Sequence, residues 1–196
     1  MTHLEFDEAA HRYSVDGLLV PNVTSVLEST LDTFAGIPDE VLDYAKARGT
    51  AVHRATELYD HDDLDIEALD IELFPYLEAW IKFRDDTGFK PLAIEERIFN
   101  KRHWYAGTLD RIGYLFGYLS LIDIKSGILI TPSAGPQTAA YMEAKNYRNI
   151  NKIRRRYIVQ LQENGTYRLH HMVDKADWSV FLSSLTIYSW RQKHGY

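Results

Sequence analysis

The feature that most constrains the fold of this 196-residue chain is a short apolar stretch that ends in two charged residues. Ile122 and Ile124 alternate with Asp123 and Lys125, which is the period of a β-strand with one face in an apolar core. A carboxylate and an ammonium group on one face of such a strand cost free energy unless they have partners or a task. The segment therefore predicts a strand whose polar face either forms ion pairs or takes part in chemistry.

One such purpose is cleavage of a phosphodiester. Two carboxylates can hold a hard divalent cation through oxygen, and a lysine can orient or activate the attacking water. Asp-x-Lys is also common as an edge or surface ion pair, and this simpler interpretation requires no chemistry. The second carboxylate, Asp110, favours the chemical interpretation, because a hairpin that turns at Phe116-Gly117 would place it beside Asp123.

Two helical patterns add polar pairs. His53 and Glu57 are four residues apart in one predicted helix, and Gln137 and Tyr141 are four apart in another, which opens with Pro136. Each pair therefore shares a helix face. Alone, each pair is weak, since a single helical histidine is more often a surface or core residue than a ligand.

In this order the residues resemble the RecB-like branch of the PD-(D/E)XK nuclease superfamily. The matching pattern is Gly-Thr-x-x-His-x-x-x-Glu, then Gly-x-x-Asp, then Asp-Ile-Lys, then Gln-x-x-x-Tyr, over about residues 48–141. A looser resemblance, to small nucleases of this superfamily encoded by phages and prophages, covers His11–Gly17 and Val20–Val26.

The resemblance implies a metal site. Asp110 and Asp123 would bind Mg²⁺ or Mn²⁺, the backbone carbonyl of Ile124 would be a further ligand, and His53 would complete the site from its helix. Lys125 would be the catalytic lysine. The three residues expected to carry catalysis are thus Asp110, Asp123 and Lys125.

The resemblance also implies supporting roles. Gln137 and Tyr141 would support the site and contact the DNA strand, and Glu57 is an accessory candidate for a second metal. Glu95 or Glu96, on the preceding strand, is a further candidate acid.

The chain has no cysteine. Several RecB-like nucleases bind an iron–sulfur cluster through four cysteines, so a version without that cluster is expected here. The absence of cysteine also excludes disulfides and fits a reducing compartment. The start of the chain lacks the apolar core of a signal peptide, and no apolar run approaches about 20 residues. We therefore expect no membrane association and a cytoplasmic location in a bacterium or a phage-infected host cell.

Basic residues are concentrated in one segment of a chain whose net charge is −6. That net charge argues against strong non-specific DNA binding over the whole surface, but it does not exclude a local path. Two interpretations of the segment stay open, a solvated face and a surface that contacts phosphate. Its members are Lys145, Arg148, Lys152, Arg154, Arg155 and Arg156. A second basic tip is Lys101-Arg102-His103. Of these, Arg154, Arg155 and Arg156 are the predicted DNA-binding residues.

The element order predicts an α/β (mixed α+β) fold with a restriction-endonuclease-like core, in which helices flank a central mixed β-sheet. We expect residues 1–196 to form one nuclease domain, with a β-meander and a short helix in residues 1–30 and the motif-bearing core at about 48–141. Thr24 is expected to cap the short helix, and the helix from Pro38 to about Asp60 to break near Gly49. The last helix should start at Asp174 or Asp177.

The expected function is a metal-dependent DNA nuclease, as an exonuclease in phage or bacterial recombination or DNA processing. Its substrate would be DNA, and a further expected partner is a single-strand annealing or recombination protein. Two alternatives stay open. One is a structure-selective endonuclease or nickase on the same fold, and the other is a catalytically silent DNA-end-binding module.

Overall fold

A five-stranded mixed sheet forms the centre of the computed structural model, which describes residues 3–8, 10–31, 36–147 and 149–196. The strand order is β4-β5-β6-β7-β8, in which β6 and β7 are parallel and the other neighbours antiparallel. The strands are β4 (Lys90–Asn100), β5 (Tyr105–Leu115), β6 (Tyr118–Lys125), β7 (Arg155–Leu161) and β8 (Tyr167–His171). The mixed α+β fold with a central mixed sheet is as predicted.

Helices cover both faces of this sheet. They are α1 (Val23–Glu28), α2 (Asp39–Asp60), α3 (Phe74–Thr87), α4 (Ala134–Asn146) and α5 (Asp177–His194). Helices α1, α4 and α5 share one apolar core with the sheet, to which β6 contributes Leu121, and α2 and α3 share another, to which β6 contributes Ile122 and Ile124. This alternation along β6 follows from the two-residue period of a strand. Within the described residues, no helix is long and apolar enough to cross a membrane.

The N-terminal meander is a separate three-stranded antiparallel sheet. Its strands are β1 (Leu4–Asp7), β2 (Arg12–Val15) and β3 (Leu18–Val20), as predicted. Tyr13, Val15 and Val20 pack with Ala106 of β5, and Asn22 forms an isolated bridge to Ala106. The meander thereby contacts the strand that carries Asp110.

Three details differ from the sequence predictions. The N-cap of α1 is Asn22, whose side chain accepts a hydrogen bond from the Thr24 backbone N–H at 2.8 Å, so Thr24 is not the cap. Helix α2 continues through Gly49 without a break, because buried Val52 pins its next turn to the core and offsets the roughly 1 kcal/mol cost of a helical glycine. Helix α4 begins at Ala134, so Pro136 is its third residue, where the backbone nitrogen needs no helical partner.

The hairpin between β5 and β6 has the predicted turn. Phe116 and Gly117 both have positive φ, +50° and +79°, as a tight two-residue hairpin turn requires. Its register pairs Arg111 with Ile122. The turn chemistry therefore fixes which residues of the two strands meet at the candidate site.

Candidate active site

The two predicted aspartates lie side by side on neighbouring strands. The Asp110 carboxylate accepts a hydrogen bond of 2.6 Å from the backbone N–H of Ile124, the residue between Asp123 and Lys125. Both aspartate side chains are buried. Two carboxylates are thus held together in the interior, where each needs a cation.

His53 reaches the same place from α2. Its Nε2 donates to the Ile124 carbonyl at 3.0 Å, and its Nδ1 lies 3.7 Å from Asp110 Oδ2 and 3.6 Å from Glu95 Oε1. One ligand-type atom from each of His53, Glu95 and Asp110 lies within 4.8 Å of the other two. The structure therefore brings together the predicted histidine, one predicted aspartate and one of the two further candidate acids.

The other candidate acids point to different partners. Glu57 forms an ion pair of 2.8 Å with Arg54, and Glu96 pairs with Lys145. Glu95 instead adopts φ +45° within β4, which is uncommon and strained for a residue with a side chain. Strained backbone of this kind concentrates at functional sites. Glu95, rather than Glu57, is the acid that accompanies His53 and Asp110.

Asp123 and Lys125 form a close pair on β6. Lys125 Nζ lies 2.8 Å from Asp123 Oδ2, yet neither Asp123 oxygen makes a well-oriented hydrogen bond with any described residue, although the side chain is 1% exposed. Burial raises the pKa of Asp123 to about 6; Lys125 opposes this shift and Asp110 adds to it. The pair thus leaves buried acceptor capacity unused.

The charges of the cluster depend on each other. Burial alone would lower the pKa of His53, but Asp110 and Glu95 together outweigh it and raise this pKa to about 9. Burial also raises the pKa of Asp110, with His53 opposing. Without a metal the imidazole therefore favours its protonated form at neutral pH, and a cation bound at Nδ1 would displace that proton.

Gln137 and Tyr141 lie on the same face of α4 and contact each other. Gln137 Nε2 donates to the Tyr141 hydroxyl at 3.1 Å, and burial raises the pKa of Tyr141, with Gln137 opposing. The Tyr141 ring packs so closely on Gly107 that a Cβ there would lie 2.7 Å from Tyr141 Cε1. This contact explains the glycine of the Gly-x-x-Asp motif, since any side chain would displace the ring.

A cleft of about 260 Å³ opens beside the cluster, between α1, α2 and the loop that follows β6. Its lining includes residues of these elements, of the end of β6 and of α4: Leu27, Lys46, Gly49, His53, Lys125, Ser126 and Gln137. His53, Lys125 and Gln137 are thus accessible to a ligand, whereas Asp123 and Tyr141 lie deeper. The buried Tyr141 does not offer its side chain for the predicted contact with the DNA strand, whereas the predicted supporting role needs no exposure.

The three predicted DNA-binding arginines line one cavity but differ in burial and in contacts. Arg156 is buried, where it donates to the carbonyls of Gly135 and Asp174 and to the Thr138 hydroxyl, and pairs with Asp177 at 2.9 Å. The prediction that Arg156 contacts DNA is therefore wrong. It faces inward because α4, the first residue of α5 and the carbonyl of Asp174 supply four acceptors for its two terminal nitrogens.

Arg154 and Arg155 lie at the opposite end of the sheet from Lys125. Arg155 pairs in register with Ser120, five positions before Lys125 along β6, which is about 17 Å at strand spacing. Its guanidinium lies 3.8 Å from the centre of the Tyr118 ring. Both arginines line a cavity of about 440 Å³ together with Lys175.

The remaining basic residues of that segment have other contacts. Lys145 pairs with Glu96, and the Lys152 ammonium donates to the Asn146 carbonyl. Arg148 lies outside the described residues. The predicted basic path therefore reduces to Arg154 and Arg155 among the residues that the structure places.

The donor atoms of the site suit a hard divalent cation. Carboxylate oxygens, a backbone carbonyl and one imidazole nitrogen are ligands for Mg²⁺ or Mn²⁺, and the oxygens of Asp123, which make no well-oriented hydrogen bond among the described residues, can accept such an ion. Without cysteine, the chain cannot supply thiolate ligands to an iron–sulfur cluster. The residues present thus fit the predicted cation.

Sequence reasoning overlooked Arg111, which is entirely buried and contacts Glu95. A signal was present, because an arginine inside a predicted apolar strand is costly without a partner. Its partner, Asp60, is 51 positions away in the sequence, and nothing in the local pattern connects the two.

Comparison with known proteins gives a structural likeness only. No protein-family model matches the chain, and no curated protein does. The fold is similar to that of a protein from Eubacterium rectale that is provisionally assigned as an exonuclease, with a TM-score of 0.61 and 14% identity over 90% of this chain and 82% of the other. At this identity the likeness shows the fold alone.

A second solved structure, LHK-Exo in complex with dAMP, shares 12% identity over 90% of this chain and 89% of its own. Its TM-score of 0.49 is too low to support an argument.

Proposed function

We propose that this protein is a metal-dependent DNA nuclease of the RecB-like branch of the PD-(D/E)XK superfamily, and that it acts as an exonuclease. The observation that carries the proposal is the buried Asp123, whose oxygens make no well-oriented hydrogen bond among the described residues. Asp123 lies beside Lys125, close to the cluster of His53, Glu95 and Asp110. The Eubacterium rectale protein with a similar fold, itself assigned provisionally as an exonuclease, supports the same activity class.

Four groups would hold Mg²⁺ or Mn²⁺: the side chains of Asp110, Asp123 and His53 and the carbonyl of Ile124, with Glu95 beside them. When bound, the ion would polarise the scissile phosphate and lower the pKa of the attacking water.

Lys125 would act on the reacting groups directly. Burial opposes its charge, but Asp123 and Asp110 outweigh burial and raise the pKa of Lys125, so the ammonium stays protonated at neutral pH. From the wall of the cleft it can donate to the attacking water or to a phosphate oxygen, where it stabilises the negative charge that develops in the transition state.

Gln137 and Tyr141 would position the strand. Gln137 lines the cleft and is fixed by its contact with the Tyr141 hydroxyl, so its amide can contact the substrate from a defined place. Tyr141 is buried and supports Gln137 and the carboxylates from behind.

The wider role follows from sequence resemblance alone. We propose that residues 1–196 work as one nuclease domain in the bacterial or phage-infected cytoplasm, in recombination or DNA processing, with a single-strand annealing or recombination protein as partner.

A cleavage assay tests the activity. The purified protein is incubated with end-labelled linear, closed circular and single-stranded DNA, each with Mg²⁺, Mn²⁺ or EDTA. Degradation of linear but not closed circular DNA, only with metal, is the expected result. Cleavage of closed circles would instead indicate the endonuclease or nickase, and metal binding without cleavage would indicate the silent module. An Asp123→Asn variant prepared in parallel controls for contaminating nucleases.

A further inference from the structure

One arginine, Arg111, is sealed in the interior directly behind the candidate site. Its side chain is 0% exposed. Burying a guanidinium costs free energy unless its charge and its N–H groups are paired. Arg111 pairs with Asp60 Oδ2 at 2.6 Å and with Glu95 Oε1 at 2.8 Å. Glu95 is thus held between a buried cation and the His53 imidazole.

The same guanidinium also contacts the Asp110 backbone directly and the His53 backbone through Thr56. Its Nη1 donates to the Asp110 backbone carbonyl at 2.8 Å, and its Nη2 donates to the Thr56 hydroxyl at 3.2 Å. The Thr56 hydroxyl in turn donates to the His53 carbonyl at 3.0 Å. One side chain therefore connects all three residues whose ligand atoms converge.

Asp60 fixes this guanidinium from the far side. Its side chain is 0% exposed, and its Oδ1 accepts from Trp80 Nε1 at 3.0 Å and from Arg84 Nη1 at 2.6 Å. Asp60 offsets part of the Arg111 charge, although it also pairs with Arg84, so Glu95 is not the sole counter-charge of Arg111. Its carboxylate can then be shared with a cation on the other side.

We propose that Arg111, held by Asp60, is a positioning residue that sets Glu95 and the backbone of Asp110 and His53 for binding of the divalent cation. Arg111 acts through these groups, since its side chain has no access to the cleft. The inference rests on the proposed function, because it presumes a cation at the site.

The test measures Mn²⁺ binding in the absence of DNA, from the electron paramagnetic resonance signal of free Mn²⁺. Arg111→Lys keeps the charge but loses the planar fork that joins Asp60, Glu95 and Thr56. It should weaken Mn²⁺ binding by about 10- to 100-fold, as expected for outer partners of metal ligands. The matched control is Arg84→Lys, which alters a contact to the same Asp60 without touching Glu95, and it should leave the affinity within about twofold.

A double-mutant cycle separates positioning from general damage. Glu95→Gln should itself weaken Mn²⁺ binding, and adding Arg111→Lys to it should cost much less than Arg111→Lys does alone, because the two changes interrupt one contact. Additive losses, or an equal loss in Arg84→Lys, would overturn the inference.

A second variant, Asp60→Asn, tests the inference if Arg111→Lys does not fold. Asp60→Asn keeps the side-chain shape and an acceptor for Trp80, but it removes one of the two carboxylates that pair with Arg111. Glu95 is then drawn toward Arg111 and away from the site. Weaker Mn²⁺ binding in Asp60→Asn is expected, and unchanged binding overturns the inference. If the unmodified protein binds no Mn²⁺, the proposed metal site fails and the inference with it, whereas binding that is unaffected by these variants defeats the inference alone.

Discussion

Two buried aspartates, each beside a basic side chain, behave differently in this molecule. Asp177 lies 2.9 Å from Arg156, whose guanidinium also donates to two backbone carbonyls and the Thr138 hydroxyl. Asp123 lies 2.8 Å from Lys125, and neither of its oxygens makes a well-oriented hydrogen bond within the part of the chain that the structure describes. The distances are nearly equal, but Arg156 makes four hydrogen bonds around its pair, whereas Asp123 makes none that is well oriented among the described residues.

This difference separates a structural pair from a candidate binding pair. A buried charge with several hydrogen bonds fixes one arrangement of the elements around it, here the junction of α4, β7 and α5. A buried carboxylate with free acceptors is unfavourable until something binds, and the raised pKa of Asp123 expresses that cost. The comparison predicts opposite responses when each carboxylate is neutralised.

The largest effect is expected from Asp123→Asn. Cleavage should fall on the order of 10³-fold or more, because the variant loses a ligand and an acceptor at the reacting centre. The metal-free variant should nevertheless melt at a higher temperature than the parent at pH 7, because Asn avoids the cost of ionising a buried carboxyl. Asp123 has a raised folded-state pKa, so this gain is present above about pH 6 and disappears toward pH 4, where the parent carboxyl is protonated as well. Thermal melts in EDTA from pH 4 to pH 8 measure it.

Asp177→Asn is the counterpart to that variant. It leaves Arg156 as an uncompensated buried charge and should lower the free energy of unfolding by about 3 kcal/mol, while cleavage per folded molecule stays close to the parent value. A stabilised Asp177→Asn or a destabilised Asp123→Asn would show that the distinction between the two pairs is false.

Lys125→Ala is expected to have the next largest effect. Cleavage should fall by about 10²-fold, since the ammonium acts mainly on the transition state. Mn²⁺ affinity should stay the same or rise, because a positive charge next to the ligands disappears. Single-turnover cleavage and Mn²⁺ titration measure the two quantities separately. Full activity in Lys125→Ala would reduce Lys125 to a partner of the carboxylates, as Arg156 is to Asp177.

Local patterns in the sequence predicted the order of the elements and the proximity of Asp110 and Asp123. The two-residue alternation of β6 and the positive-φ turn at Phe116-Gly117 are short-range features, so the sequence contains them directly. The family resemblance, and not the helical spacing, pointed to His53, which lies on the face of α2 that meets the sheet.

The errors lie where distant elements decide the outcome. Whether Arg156 faces solvent or Asp177 depends on how α5 docks, and the basic run that contains Arg156 gives no sign of it. The choice between Glu57 and Glu95 depends on the unusual backbone of Glu95 and on Arg111, which no periodicity predicts. Long-range ion pairs therefore limit what a single sequence can show about this site.

A smaller effect is expected from Gln137→Ala. The loss of one hydrogen bond to substrate corresponds to a fall in cleavage of about three- to tenfold, and the melting temperature should change little because Gln137 is half-buried. Tyr141→Phe tests the hydroxyl that holds the amide in place and should reproduce part of the loss. Steady-state cleavage and thermal melts of both variants give the comparison. A loss of stability without a loss of turnover would assign the pair to the core.

The smallest effect on turnover is expected at the far end of β7, where Arg154 and Arg155 lie without acidic partners among the described residues. If both contact phosphate, Arg154→Gln with Arg155→Gln should reduce the slope of log affinity against log salt by about two for duplex DNA, because each contact releases nearly one counterion. Cleavage at saturating DNA should stay close to the parent rate, since the reacting groups lie about 17 Å away along the strand.

The matched control is Lys101→Gln with Arg102→Gln, which removes the same charge from the tip between β4 and β5. An unchanged slope in the first variant and a reduced slope in the second would place the DNA at that tip and leave Arg154 and Arg155 as a solvated face.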